Sequence, residues 1–385
     1  MQDLLSQFRQ QLSERESGGR LRSLKSVMPL DGITVLLNRK PLVNFGSNDY
    51  LGLASDPRLK QRSIEYTQRF GTGSTASRLI CGNLEPYDYI ERKLASLKGT
   101  EAALIMPTGF QTNLTVLAAL TNSGSFVACD RLSHNSLLQG AQMSQGTWSR
   151  YHHNDHADLQ NRMMKAESAS TKWIVTESVF SMDGDRGDIA SLSAIAAETG
   201  AGLFVDEAHA TGVLGQLGMG LTAGQRGVTI AMGTFGKACG SFGAYIACSA
   251  ELRSYLINFC SGFIYSTALP PGVLGAIDAA LDLIPTMEKQ RQQLLSNAEY
   301  LRTKLNELGF DTCGSTTQIV PFIIGTDHDA MSASAHLEDA GIFAPAIRPP
   351  TVPEGQARIR LSLTTLHTRE HIDRIVSSMR TWRAH

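Results

Sequence analysis

Between residues 101 and 248 the chain repeats one pattern, a short apolar run followed by a stretch of helical periodicity. Runs at 102–106, 126–129, 173–176, 203–205, 228–232 and 243–248 are separated by helical stretches that include 109–120, 136–143 and 189–199. Parallel strands need a long crossover, usually a helix. Strands buried on both faces read as continuous apolar runs. The expected fold class is therefore α/β, with a mostly parallel mixed sheet covered by helices on both faces. In such sheets ligands bind beyond the carboxyl ends of the strands.

The flanks read differently. Residues 1–28 are helical and amphipathic, with a break at Gly18-Gly19, and 33–36 with 42–45 suggest a short antiparallel pair. Helices are expected at 59–69 and 86–97. A long charged helix at 285–308 precedes strands at 319–324, 342–347 and 357–363 and helices at 332–340 and 367–380. The expected division is 1–45 (N-terminal helix and hairpin), 46–284 (large α/β domain) and 285–385 (small C-terminal α+β domain).

The 385 residues carry a net charge of -1, so no global field favours nucleic acid or an anionic membrane. The first ten residues are too polar for a secretory segment, and no run reaches the roughly twenty apolar residues of a bilayer span. The six cysteines are scattered and form no C-x-x-C pair, which points to reduced thiols and a cytoplasmic protein.

Within the repeat, Leu203-Phe204-Val205-Asp206 is followed by Glu207-Ala208-His209, and later by Gly233-Thr234-Phe235-Gly236-Lys237. A buried acid at a strand end and one lysine in a Gly/Thr turn suit pyridoxal phosphate (PLP). The amine carries the cofactor, and the acid keeps its ring nitrogen protonated. The plain alternatives are a helix-capping aspartate and a surface lysine. Gly109 and Phe110 open a helix behind an apolar run, where N–H groups favour a phosphate, and Thr234 adds a hydroxyl. His134 can stack on a ring, and His209 and Ser181 can reach a phenolic oxygen; each is equally a packing or loop residue. Arg358 and Arg360 share one strand face, suited to a carboxylate or to a structural salt bridge. The cluster His152-His153-Asn154-Asp155-His156 lacks zinc spacing, so no metal is expected.

Together these motifs resemble the α-oxoamine synthase family of fold-type I PLP enzymes. The likeness rests on Ser47-Asn48-Asp49-Tyr50-Leu51-Gly52-Leu53, Asp130-Arg131-Leu132-Ser133-His134, Phe180-Ser181-Met182-Asp183-Gly184, Asp206 to Gly212 and Gly233 to Lys237. It runs from about residue 44 to 363. The turn Ala346-Ile347-Arg348-Pro349-Pro350-Thr351-Val352-Pro353 leans toward the branch that joins L-alanine to a pimeloyl thioester on the route to biotin. The resemblance implies catalytic roles for Lys237, His134 and Asp206. It implies cofactor contacts from Gly109, Phe110, Ser181, His209 and Thr234. Asn48 and Arg360 would take the amino-acid carboxylate, and Arg22 and Thr351 the acyl group. The family is homodimeric, so Ser266 and Thr267 would reach the neighbour's phosphate. Rival readings are a family member acting on glycine with acetyl-CoA, an aminotransferase, and a non-catalytic ligand-binding module.

Overall fold

The structure, a computed structural model, describes residues 2–383. They form two compact units. The larger comprises Asp49–Ser181 and Arg186–Gln293; the smaller comprises the residues through Asn48, Met182–Asp185 and those from Leu294 onward. The N-terminal segment therefore groups with the C-terminal residues, where the sequence reading treats 1–45 as separate.

The larger unit is built on a seven-stranded sheet. Its strands are β1 (Ala102–Met106), β2 (Ser125–Asp130), β3 (Thr147–Tyr151), β4 (Thr171–Glu177), β5 (Gly202–Asp206), β6 (Ile230–Thr234) and β7 (Ala244–Cys248). Their spatial order is β1-β7-β6-β5-β4-β2-β3. Every neighbouring pair is parallel except those involving β7, which runs antiparallel to both β1 and β6. The mostly parallel mixed sheet expected from the apolar runs is thus present.

Side-chain alternation assigns each strand residue to a face. Phe204, Val175 and Met232 join Val116, Leu117 and Leu137 in one core. Leu203, Val205 and Ile174 join Leu159, Leu192 and Ile195 in the other. Both faces are therefore dry, and each fully buried side chain of this kind stabilises by about 1.5–3 kcal/mol. Gly233 is needed for a local reason: a Cβ there would sit 2.4 Å from the Tyr245 ring on β7.

Two stretches defeat simple periodicity. The helices Ala250–Phe259 and Pro271–Leu283 were not marked by the pattern. The second buries residues around most of its circumference, including Leu274, Ile277, Asp278 and Leu281, so its apolar stripe is too broad to stand out.

In the smaller unit, Thr34–Leu37 and Lys40–Asn44 pair antiparallel around Asn38 (φ 51°) and Arg39 (φ 65°). Two consecutive left-handed residues make the tight turn that matches strand twist. The run 342–347, expected as one strand, is two. Ile342–Phe343 pairs parallel with Val43 and Asn44, and Ala346–Ile347 pairs antiparallel with Arg358 and Ile359 in another sheet. Pro345 lies between them and has no N–H for a ladder.

His367 is 3% exposed and stacks on Phe45 with ring centroids 3.8 Å apart. Its Nδ1 accepts from the Thr364 N–H at 2.9 Å. Burial, reinforced by His371, lowers its pKa to about 3. The unfolded chain binds this proton more readily, so stability is complete above the ordinary histidine pKa and declines as pH falls toward 3. Between pH 6.5 and 5 the loss is about 2 kcal/mol. Thermal unfolding across this range should show it, and His367→Asn should flatten the slope while lowering stability at pH 7. An unchanged slope would refute the assignment.

Candidate active site

Two consecutive acids at the end of β5 meet different fates. Glu207 is fully buried and paired with Lys98, whose side chain is also fully buried. Lys98 spends its other protons on the Met219 carbonyl (2.8 Å) and Thr222 Oγ1 (2.9 Å), while the Thr222 N–H donates to Glu207 (2.9 Å). Asp206, 5% exposed, accepts from Asn113 Nδ2 at 2.7 Å and the Ala208 N–H at 2.8 Å. Both donors are neutral, and among the described residues no cation forms an ion pair with it. A buried carboxylate held only by neutral groups is costly. A bound cationic N–H would relieve that cost.

Asn113 lies one turn into the helix Gly109–Leu120, and its second amide proton goes to Ser136 Oγ at 2.9 Å. His134 Nδ1 accepts from the Ser136 N–H at 3.3 Å and lies 2.7 Å from Ser136 Oγ, so the ring proton of neutral His134 sits on Nε2. Burial, followed by the charge on Lys237, lowers the His134 pKa, with Asp206 opposing. The ring is thus kept neutral beside the acid. The His134 N–H donates to Glu177 Oε1 at 2.5 Å, and Glu177 stands in register with Asp206 on β4. Burial, then Asp206, pushes the Glu177 pKa well up.

Lys237 follows β6, whose Met232 pairs with Asp206. Its Nζ lies 2.7 Å from His209 Nε2, and His209 Nδ1 lies 2.6 Å from the Tyr50 hydroxyl. The helix Gly109–Leu120 opens toward the same strand end. A Cβ on Gly109 would lie 3.9 Å from Thr234 Oγ1. Thr108 caps that helix through the Gln111 N–H at 3.2 Å. Phe110 is half-exposed and edge-on to His134, with centroids 6.3 Å apart. Ser266 Oγ accepts from Gln111 Nε2 at 2.6 Å, and Thr267 bridges to Ser77. Ser181, half-buried, ends the first segment of this unit.

The remaining candidates lie in the smaller unit. Arg360, 7% exposed, reaches Asn48 Oδ1 through Nη1 (3.2 Å) and Nη2 (3.3 Å), and Ser362 Oγ at 2.7 Å. Arg358, on the same strand, is committed to Asp183 in an ion pair. The structural alternative thus holds for one arginine of the pair. Arg22 Nη2 donates to Thr351 Oγ1 at 3.2 Å. With Arg20, Ala346, Ile347, Arg348 and Pro349 they line a pocket of about 200 Å³.

Sequence reasoning missed Lys98, Asn113, Ser136 and Glu177. Only Asn113 left a usable signal, four residues after Gly109 and so on the same helix face. The residues present fit PLP. An amine, a buried acid without a cation, and hydroxyls beside a helix N-terminus converge within one unit. Asn113 Oδ1 and Ser178 Oγ are buried with no partner among the described residues.

Fold and site together define a PLP-dependent enzyme of fold type I. The model of the aminotransferase class I and II family matches residues 40–379. The 8-amino-7-oxononanoate synthase of Gluconacetobacter diazotrophicus is 48% identical over 370 residues, 93% of each chain. A solved structure of serine palmitoyltransferase with PLP superposes with a TM-score of 0.92 at 27% identity, over 99% of this chain and 98% of that one. The 8-amino-7-oxononanoate synthase structure from Francisella tularensis gives 0.78 at 26% identity, over 89% and 98%. The chain belongs to the class I and II aminotransferase family, within its branch of PLP-dependent acyltransferases. Among the described residues no helix is long and apolar enough to cross a membrane.

Lys98→Met should leave Glu207 as an uncompensated buried charge and cost about 3–5 kcal/mol in denaturant unfolding. The double change Lys98→Met with Glu207→Leu should recover part of that loss. A single variant as stable as the native chain would show that the pair does not anchor this segment.

Proposed function

We propose that the enzyme condenses L-alanine with a pimeloyl thioester, giving 8-amino-7-oxononanoate, carbon dioxide and the free thiol carrier. The observation that carries this reading is the 48% identity, over 93% of both chains, with the synthase of that name. The arginine-lined pocket supports it. Arg22 and Arg348 offer cationic donors of the kind that suit a terminal carboxylate. A pimeloyl chain ends in such a group, and an acetyl group does not, which speaks against the rival that acylates glycine.

PLP, when bound, supplies an electron sink that makes the amino-acid Cα–H acidic. In the proposed assignment Lys237 would hold the cofactor until the amino acid displaces it, and the freed amine would take the Cα proton and later return one. The Asp206 carboxylate would keep the ring nitrogen protonated. Neutral His134 would stack on the ring. His209 and Ser181 serve the phenolic oxygen, and Gly109, Phe110 and Thr234 the phosphate. The chain is read as a homodimer, with Ser266 and Thr267 serving the partner's phosphate. Arg360 and Asn48 take the alanine carboxylate, which fixes the Cα bond that breaks first. The new C–C bond joins Cα to the thioester carbonyl as the C–S bond breaks. The carboxylate then leaves as carbon dioxide, and a proton takes its place.

Mass analysis of products from alanine and pimeloyl thioester tests the reading. It predicts the amino-ketone with carbon dioxide release. Keto-acid exchange without carbon dioxide would favour an aminotransferase, and product only from glycine with a short acyl thioester would favour the other synthase. Lys237→Ala should lower turnover below detection; normal turnover would remove the lysine from the mechanism.

Arg22→Ala should raise KM for the pimeloyl thioester about tenfold, as loss of one charge-assisted contact. The KM for alanine should stay as it was. Steady-state kinetics with each substrate varied separately checks this, and a shared rise in both constants would argue against an acyl-specific role.

A further inference from the structure

We infer that Asn113 is a positioning residue, a single amide that sets both the Asp206 carboxylate and the His134 ring. Its Nδ2 donates to Asp206 Oδ2 at 2.7 Å and to Ser136 Oγ at 2.9 Å. Ser136 in turn serves His134: its Oγ lies 2.7 Å from Nδ1, and its N–H donates to the same nitrogen at 3.3 Å. Among the described residues, the polar contacts of that ring are with Ser136 alone. Asn113, Ser136 and Asp206 are all buried. The four residues belong to the larger unit.

The amide faces one way only. A carboxylate accepts and does not donate, so Asp206 requires the NH2 end. Both protons of that end are then spent, and Oδ1 is left buried with no partner among the described residues. An unmade buried acceptor is destabilising and calls for a reason. The pair of bonds on the other side supplies it. A hydroxyl has one proton to give and cannot make both. A cationic side chain could make both, but it would neutralise Asp206. Asparagine orients the acid without cancelling its charge, which is what the proposed hold on a protonated ring nitrogen requires.

The two oxygens of Asp206 are held separately, Oδ1 by the Ala208 N–H at 2.8 Å and Oδ2 by Asn113. Loss of the Asn113 bond leaves the carboxylate anchored at one oxygen, able to turn about its Cβ–Cγ bond. The same loss leaves Ser136 Oγ one donor short beside His134. Asn113 also lies one turn into the helix that begins at Gly109, so helix, acid and imidazole keep one spacing. The inference rests on the ring-nitrogen and ring-face roles proposed for Asp206 and His134.

The test is PLP binding to the full chain, freed of cofactor and titrated back. Asn113→Leu keeps the bulk and removes both donors together with the orphaned acceptor. It should raise the Kd for PLP about tenfold, as loss of one charge-assisted bond. It should also weaken the visible circular dichroism per bound PLP, which reports how firmly the ring is held; a merely structural role would leave that signal intact. Asn113→Asp keeps the shape and sets an acceptor against Asp206. It should act in the same direction, and it carries the test if the leucine variant does not fold. In an Asp206→Asn background, Asn113→Leu should cost about threefold or less, because the carboxylate it orients is gone. Thr115→Val removes another buried hydroxyl of the same helix, bonded to the Gln111 carbonyl at 2.8 Å, and should leave the Kd in place. Asp206→Asn with native binding would sink the role of Asp206 and this inference with it. If Asp206→Asn is impaired, the inference alone is overturned by native binding and dichroism in Asn113→Leu. An equal loss in Thr115→Val, or the full loss from Asn113→Leu without the Asp206 carboxylate, overturns it as well.

Discussion

The carboxylate of Asp206 governs the rest of the site. Its strand delivers it to a dry place between two cores, and its partners there are amide groups, not cations. The neighbouring acid shows the alternative. Glu207 has Lys98 and is satisfied within the chain. That pairing ties the segment from residue 207 to residue 222 in place, so the backbone next to Asp206 is fixed by a bond that does not involve Asp206 itself. One acid is paired with a cation of the chain, and the other accepts from amide groups.

Much of this was legible in the residues. Short apolar runs with helix-length spacings fix a parallel sheet, and the sheet fixes where its strands end. Asp206 ends one strand and Lys237 follows its neighbour, so topology, not sequence distance, sets their two strand ends side by side. The Arg358 and Arg360 pair was also visible, although only the coordinates separate the arginine tied to Asp183 from the one held by Asn48 and Ser362.

What the residues hid has a common cause. Lys98, Asn113, Ser136 and Glu177 matter through partners far along the chain. Lys98 meets Glu207, and Asn113 meets Asp206 across two strands of the sheet order. Nothing local marks a lysine at a helix end as a buried counter-ion, because such lysines are ordinarily exposed. The divided strand at 342–347 failed for a smaller reason: a run of apolar residues says nothing about which sheet each half joins, and Pro345 was the one local sign.

The smaller unit is sewn from both ends of the chain. Val43 pairs with Ile342, and Asn44 with Phe343, so a strand made early waits for one made nearly three hundred residues later. The larger unit needs no such wait, since its strands all lie between Ala102 and Cys248. On a ribosome the cofactor-binding sheet is complete well before the closing strand emerges. The edge at Val43 and Asn44 must therefore wait for its parallel partner through most of synthesis. Their hairpin, with a tight turn that closes locally, covers the other edge of Lys40–Asn44 in the interval and leaves this one open.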